Sequence, residues 1–377
     1  MIKTCINCVM DTTDSMIKFD VHGVCDHCRT FENQVVKAWA FGKGEENEKK
    51  LNQLIQRLKN EGAKKEYDCL LGLSGGIDSS YLLHYLVTKH ALRPLVFHVD
   101  AGWNTKESVN NIQKIVDKLD LDLHTEVINW KEMADLQLAF FKSGVPHIDT
   151  PQDHAYFATM YRFASQYKIK NIITGGNYST EGIRNPLEWM WYQSDSIQLR
   201  DVHQKYGRVK LKSFPLTNIL WHKVYLPYVK KIKLFRPLDF IEYDKKHAVQ
   251  ELTDIYGFIP YPQKHFESRF TRFYESYWLP ERFGYDTRKV QFSSLILTGQ
   301  MTREEALKAL KKKPYDESTI HQDIEYVATK LGISVEELNS YMTMEKKTYK
   351  AYKSQESIFL LGARVMRALG LEKGGKR

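Results

Sequence analysis

Asp68-Cys69-Leu70-Leu71-Gly72-Leu73, followed at once by Ser74-Gly75-Gly76-Ile77-Asp78-Ser79-Ser80, is the stretch that decides the fold. The first six residues make an apolar run of strand length. Residues 81–90, with Leu82, Leu83, Tyr85 and Leu86, read as a helix. A strand that passes through a glycine-rich turn into a helix aims the turn's N–H groups and the helix N-terminus at one spot, which makes an anion site. Gly75 and Gly76 let the backbone approach a phosphate with no Cβ in the way. Ser74, Ser79 and Ser80 add hydroxyl donors. No lysine follows the loop, so it is not a Walker A sequence. Asp78 stands where a magnesium ion could be held against phosphate oxygens.

The pattern repeats on the C-terminal side. Residues 94–99 read as a second strand, 105–118 as a helix, 121–128 as a third strand, and 131–142 and 151–167 as helices, with Pro151 suited to a first helical turn. Asn171-Ile172-Ile173-Thr174 is a further strand, leading to Gly175-Gly176-Asn177. This alternation predicts an α/β domain with a doubly wound parallel sheet. Loops 74–80, 100–103 and 175–177 all follow strands and should gather on one edge of it.

SGGIDSS resembles the SGGxDS signature of the PP-loop ATP pyrophosphatases, among them asparagine, GMP and NAD synthetases and tRNA-modifying ligases. The resemblance implies that ATP is split between its α and β phosphates and that AMP passes to a carbonyl oxygen. It implies ATP and Mg²⁺ as cofactors, with Ser74, Asp78 and Ser79 as catalytic residues and Asp78 as the magnesium ligand. Ser74, Gly75, Gly76, Ile77, Asp78, Ser79 and Ser80 would hold the nucleotide, bordered by Val99, Asp100 and Gly102 and by Gly175, Gly176 and Asn177.

Four of the five cysteines lie at Cys5-x-x-Cys8 and Cys25-x-x-Cys28. Each Cys-x-x-Cys turn aims two sulfurs at one point, and two turns supply a closed tetrahedral zinc site. Two disulfides are disfavoured in a reducing compartment; an iron–sulfur site, or His22 or His27 in place of one ligand, is the other alternative. Residues 45–61 carry Leu51, Leu54, Ile55 and Leu58 at helical spacing. The expected domains are a zinc module over 1–40, a linker helix over 41–66, the PP-loop domain over 67–260 and a helical C-terminal region over 261–377.

Hydrophobic residues make up 42% and charged residues 27% of the 377, an ordinary soluble balance. No apolar run approaches the ~18 residues that cross a bilayer, and Met1 to Cys5 shows no signal-peptide pattern, so a cytoplasmic location with no membrane partner is expected. The net charge is +9, but the lysines are spread out; Lys230-Lys231-Ile232-Lys233 and Lys311-Lys312-Lys313 are short runs. Nucleic acid is therefore not the expected partner.

Residues 178–215, with Glu188, Trp189, Trp191, Tyr192 and Arg200, read as an irregular segment that helps form the acceptor pocket. His147, Asp153, His154, Glu188, Arg269 and Arg272 are the polar residues proposed to grip the acceptor. Thr302 and Glu305 form a capping box. Residues 316–369 look helical, with Ile333 to Leu338 and Ile358 to Leu361 read as core, and Glu372 to Arg377 as disordered tail.

The tract from His265 through Phe273, Tyr285 through Lys289 and Leu297 through Ala306 is similar to the N-acetyl sugar amidotransferases of bacterial surface-polysaccharide (O-antigen) and flagellar-sugar assembly. That resemblance implies conversion of an acetamido group to an acetamidino group on an N-acetylated nucleotide sugar or sugar acid. An amide carbonyl is a poor electrophile, and adenylating its oxygen gives an imidate that ammonia can attack. The family resemblance further implies a separate glutaminase subunit, similar to that of histidine biosynthesis, with a barrel-type partner forming an ammonia channel. Three alternatives stay open: tRNA thiolation, ligation of ammonia to a small carboxylate or nucleobase, and a scaffold with an inactive ATP fold. Cys69, the one cysteine outside the zinc pattern, lies in the expected strand before the loop, where a thiol is inert, which argues for ammonia over sulfur.

Overall fold

Five strands make one all-parallel sheet: β1 Cys69–Gly72, β2 Pro94–Asp100, β3 Leu123–Val127, β4 Asn171–Ile173 and β5 Lys233–Phe235, in the order β3-β2-β1-β4-β5. The computed structural model describes residues 2–368, so the tail expected to be disordered, Glu372 to Arg377, lies outside the described residues. Side chains alternate across the strands. Cys69, Leu71 and Leu73 face Leu54, Leu82, Leu86 and Ile112 on one side, whereas Leu70 faces Phe97, Met160 and Ile172 on the other. A fully buried leucine such as Leu71 contributes roughly 1.5–3 kcal/mol, so a two-sided apolar strand holds the centre of the sheet.

The strand order reverses between β1 and β4. In a doubly wound sheet, ligands bind in the crevice at the C-terminal ends of the strands where that reversal occurs. The turns after β1 and β4 flank it.

Helix Lys106–Lys118 is capped by Thr105, whose hydroxyl accepts the Ser108 N–H, and helix Trp130–Ser143 by Asn129 in the same way. Pro151 sits in the first turn of Thr150–Gln166. The later part of the chain shares a core with the middle of it. Phe140 and Phe141 pack with Phe270, Phe273, Trp278, Leu338 and Tyr341 in one buried cluster, so continuous apolar packing crosses the boundary expected at 260/261.

Three expectations need correction. Ile77, Asp78, Ser79 and Ser80 belong to the first turn of helix Ile77–His90, leaving Ser74-Gly75-Gly76 as the turn itself. The segment 178–215 is not irregular throughout. It contains helix Ser196–Tyr206, capped by Asp195 accepting the Ile197 and Gln198 N–H groups, with Leu199 and Val202 buried. In the tail, helix Val335–Thr343 does bury Leu338 and Tyr341, but helix Glu356–Ala368 leaves Leu360 and Leu361 exposed. Phe359 packs on Tyr192 and against Trp191, and Leu360, Leu361 and Val365 after it project outward.

Candidate functional site

β1 ends at Gly72, and the chain turns through Ser74-Gly75-Gly76 into helix Ile77–His90. Gly75 has φ +83°, and a Cβ there would lie 2.8 Å from the Ser108 carbonyl oxygen, so the turn needs glycine on both counts. The helix has no side-chain cap, and its first-turn N–H groups stay available to an anion. The serines brace the turn from within. The Ser74 N–H donates to Ser79 Oγ at 3.3 Å, Ser79 Oγ donates to the Gly76 carbonyl at 3.3 Å, and the Gly76 N–H donates to Ser74 Oγ at 3.2 Å. Ser74 Oγ also donates to Glu267 Oε1 at 3.4 Å.

Across the crevice, the turn after β4 comes close. A Cβ on Gly175 would lie 2.8 Å from Ser79 N, so glycine lets the two strand-end turns meet. The C-terminal tract is stitched beside them by backbone bonds, from Thr105 N–H to the Glu267 carbonyl and from Arg269 N–H to the Trp103 carbonyl. The result is a cavity of about 520 Å³. Ser74, Gly76, Ile77, Asp78, Ser79, Val99, Gly175 and Gly176 line it, together with His98, Asp153, Lys245, Lys264 and Glu267.

The charges in it are organised by Lys264. Its ammonium lies 3.0 Å from Asp78 Oδ2 and 2.7 Å from Glu181 Oε1. Asp78 Oδ1 accepts the Tyr243 hydroxyl at 2.6 Å. Burial alone would raise the Asp78 pKa, but Lys264 and the Tyr243 hydroxyl outweigh it and hold the carboxyl below its usual range. Burial acts on Lys264 in the opposite sense, and Asp78 and Glu181 overcome it, so the ammonium is held firmly charged. Lys245, on the same cavity wall, is pushed down by burial, which Asp78 partly offsets. His98 donates from Nδ1 to the Leu73 carbonyl at 2.8 Å and accepts the Asn104 amide at Nε2 at 2.8 Å. A ring that accepts at Nε2 is neutral, and burial lowers its pKa accordingly.

Other expected residues sit elsewhere. Asp100 Oδ1 accepts the Gly102 N–H at 2.7 Å, and a Cβ on Gly102 would strike the Trp130 ring, so both residues shape the turn and neither lines the cavity. Ser80 is fully buried beneath the helix, the Gly75 α-carbon faces Ser108, and Asn177 caps the helix Tyr178–Glu181. Of the residues proposed to grip the acceptor, Asp153 alone lines the cavity. His147 and His154 are buried, bonded to Gln198 and to the Gln193 carbonyl. Glu188 accepts from the Ser15 N–H and hydroxyl in the cysteine module, and Arg269 and Arg272 both pair with Asp323. Trp189 stacks on Tyr285 and Trp191 on Tyr349. Of the segment 178–215, Glu181 reaches the cavity wall and pairs with Lys264, whereas Glu188, Trp189 and Trp191 make their contacts elsewhere.

The four N-terminal cysteines are fully buried, with their sulfurs within 4.8 Å of one another. Neighbouring sulfurs lie 3.6–3.9 Å apart. Four ligands on a tetrahedron with Zn–S near 2.3 Å would be spaced by about 3.8 Å, so the set fits a structural zinc ion. Backbone N–H groups of Asn7, Met10 and Cys25 point at the sulfurs. Arg303 donates to the Cys5 and Cys8 carbonyls at 2.8 and 3.0 Å, which fixes the module to the C-terminal region.

Two family models match. Residues 68–234 match the phosphoadenosine phosphosulfate reductase domain, and residues 267–366 match the C-terminal domain of the LPS biosynthesis protein WbpG-like family. The middle of the chain is thus similar to the one family and its C-terminal region to the other. A curated relative, an uncharacterized protein of Methanocaldococcus jannaschii, is 27% identical over 175 residues. That match takes in 45% of this chain and 58% of the relative, so the chain spans little more than half the length of that protein. Among solved structures, the NMN synthetase of Francisella tularensis is 14% identical, with a TM-score of 0.33 over 80% of this chain and 98% of its own. The NH3-dependent NAD synthetase of Campylobacter jejuni is 15% identical, with a TM-score of 0.28 over 58% and 99%. Both likenesses are too loose to bear on chemistry. Among the described residues no helix is long and apolar enough to cross a membrane.

Lys264, Lys245 and Tyr243 escaped the sequence reading, whereas Glu181 lies in the segment 178–215 expected at the pocket and Glu267 in the charged and aromatic tract that begins at His265, immediately after Lys264.

Proposed function

We propose that this chain uses ATP to adenylate the acetamido oxygen of an N-acetylated nucleotide sugar or sugar acid. Ammonia then displaces AMP and leaves an acetamidino group. The observation that carries this reading is the meeting, in one cavity, of the Ser74-Gly75-Gly76 turn and helix N-terminus with Lys264, Lys245 and Glu267 from the later part of the chain. The turn and helix end supply N–H groups for phosphate oxygens. The lysines supply positive charge where pyrophosphate would depart. The match of residues 267–366 to an LPS biosynthesis family supports a sugar as acceptor.

In this reading Asp78 would hold magnesium, with Glu181 and Glu267 on the same cavity wall; Lys264 and the Tyr243 hydroxyl hold its two oxygens and would have to yield one to the ion. When bound, the ion would neutralise charge on the triphosphate. Zinc in the cysteine module is structural in this reading, and ammonia comes from a separate glutaminase subunit.

The thiolation reading loses support. Cys69 is fully enclosed in the central strand and burial pushes its thiol well up, so it cannot carry sulfur. The test is to incubate the protein with ATP, magnesium, ammonium and a panel of N-acetylated nucleotide sugars, and to follow the nucleotide products. AMP and pyrophosphate that depend on an acetamido sugar are expected. ADP alone, or pyrophosphate release stimulated only by tRNA, would overturn the reading.

A further inference from the structure

The cations of the chain are spread along it, but its carboxylates are not. None falls between Asp201 and Asp239, whereas nine of the 55 lysines and arginines do, from Lys205 to Arg236. The other 46 cations match the 46 carboxylates, so the whole net charge of +9 comes from this one tract. At its ends Lys205 and Arg236 pair with the bounding Asp201 and Asp239. Lys230, Lys231 and Lys233, between them, are exposed.

The same tract shows apolar side chains to solvent. Its π-helical segment Trp221–Val229 is fixed by an inner face. Leu226 is buried with Met160 and Ile172, and the His222 ring stacks on Tyr161 with centroids 5.9 Å apart. A surface helix ordinarily turns polar residues outward. Here Leu220, Val224 and Tyr228 follow one another at a spacing of four and are 61%, 51% and 73% exposed, with Tyr225 and Val229 exposed beside them. Leu234, on the edge strand β5, is exposed as well and also lines the cavity that holds Ser74 and Asp78. Residues 220–234 thus hold six of the twenty large apolar side chains exposed among the described residues. Single exposed apolar residues need no explanation, but a cluster marks a surface that something covers.

We propose that the segment 220–233 lies against an anionic lipid surface, with the ridge of Leu220, Val224 and Tyr228 sunk at the headgroup level and Lys230, Lys231 and Lys233 on lipid phosphates. An apolar face flanked by lysines is the pairing that such a surface takes: the ridge leaves water, and the ammonium groups stay among the headgroups. Tyr225 and Tyr228 suit the same depth, since each has an apolar ring and a polar tip. Nucleic acid would meet the charge and stack on the rings, but it offers nothing to Leu220, Val224 and Val229. A second copy docked by a two-fold axis would set the same unbalanced cations against themselves. The lack of a membrane-spanning helix among the described residues bears on crossing a bilayer, not on lying against one. Because Leu234 belongs to both, the surface adjoins the cavity. This docking does not depend on the reaction proposed above.

The experiment is co-sedimentation of the full chain with two kinds of vesicle, phosphatidylcholine alone and phosphatidylcholine mixed equally with phosphatidylglycerol. Binding to the mixed vesicles, weakened by added salt, and little binding to the neutral ones are expected. The double variant Lys230→Glu with Lys231→Glu should lose affinity for the mixed vesicles by roughly 10²-fold. Leu220→Ser with Tyr228→Ser should lose it by roughly 10-fold or more while the salt dependence remains. All four positions are exposed, so Tm should stay at the parent value in both variants, and a shared loss of Tm and binding is resolved by single substitutions that keep the parent Tm. Equal binding to both vesicles, or affinity that neither variant changes, would overturn the proposal. So would a dimer in solution that the Leu220→Ser, Tyr228→Ser variant dissolves, which assigns the ridge to a second copy. Binding of tRNA that outcompetes the mixed vesicles would assign the tract to nucleic acid, and binding to neither vesicle would leave the ridge to an acidic protein; either result sinks the lipid surface.

Discussion

The cysteine module and the cavity at the ends of β1 and β4 both collect side chains from far apart in the sequence, but they are built to opposite ends. In the module, four sulfurs are fully enclosed, backbone N–H groups are aimed at them, and Arg303 ties the adjoining carbonyls to the C-terminal region. In the cavity, the first-turn N–H groups of helix Ile77–His90 are uncapped and Lys264 is shared between two carboxylates. A closed site stores stability; an open one holds polar groups ready for something that arrives from solution.

The sharpest way to break this contrast is to remove one sulfur. Cys28→Ser opens a closed tetrahedron whose metal is worth roughly 10–16 kcal/mol in isolated zinc-finger peptides. Metal analysis should fall from about one zinc per chain to near none, with a large drop in Tm. An unchanged Tm would mean that the module is dispensable. Lys264→Met addresses the other site. It should lower the rate of AMP formation by roughly 10²–10³-fold, about 3–4 kcal/mol, with only a small change in Tm. A collapse of Tm in proportion to activity would make the cavity as structural as the module.

These two sites also differ in how much of them the sequence disclosed. Cys5, Cys8, Cys25 and Cys28 are legible because their spacing is local and each pair makes its own turn. The strand–turn–helix at 69–90 is legible for the same reason, and so is the Thr302–Glu305 capping box. Lys264 and Tyr243 are not, because they meet Asp78 only after the chain has folded back across the crevice, Tyr243 standing 165 positions after Asp78. No periodicity encodes such a meeting. Helix Ser196–Tyr206 was hidden among the aromatic and polar residues on either side of it, although Asp195 caps it and Leu199 and Val202 are spaced to face one way. Helix Glu356–Ala368 failed differently: its apolar spacing is real, but periodicity gives a face and does not say what covers it.

A buried histidine gives a smaller, pH-dependent test. His154 accepts the Thr217 N–H at Nε2 at 3.1 Å and donates from Nδ1 to the Gln193 carbonyl, so the folded state holds it neutral. Burial pushes its pKa down to about 4, against about 6.5 in an unfolded chain. Between those values the unfolded state binds more protons, so stability is full above pH ~6.5 and falls as pH drops toward 4. The loss should be about 3 kcal/mol, read as the fall in unfolding free energy with pH. His154→Gln should flatten that slope, and an identical slope would show that His154 does not set it. The smallest effect is expected from Thr302→Ala, which removes the cap of the helix that carries Arg303. About 1 kcal/mol of stability should go, and a far larger loss would mean that this one hydroxyl governs docking of the whole module.

Cys69 is walled into the central strand, and the other four cysteines face one another. An intact molecule therefore offers no sulfur to an alkylating dye, whereas a molecule that had lost a zinc ion from the module would present four at a stroke. Counting labelled thiols in a native preparation becomes a gauge of how many molecules are loaded, with no need for a spectrometer.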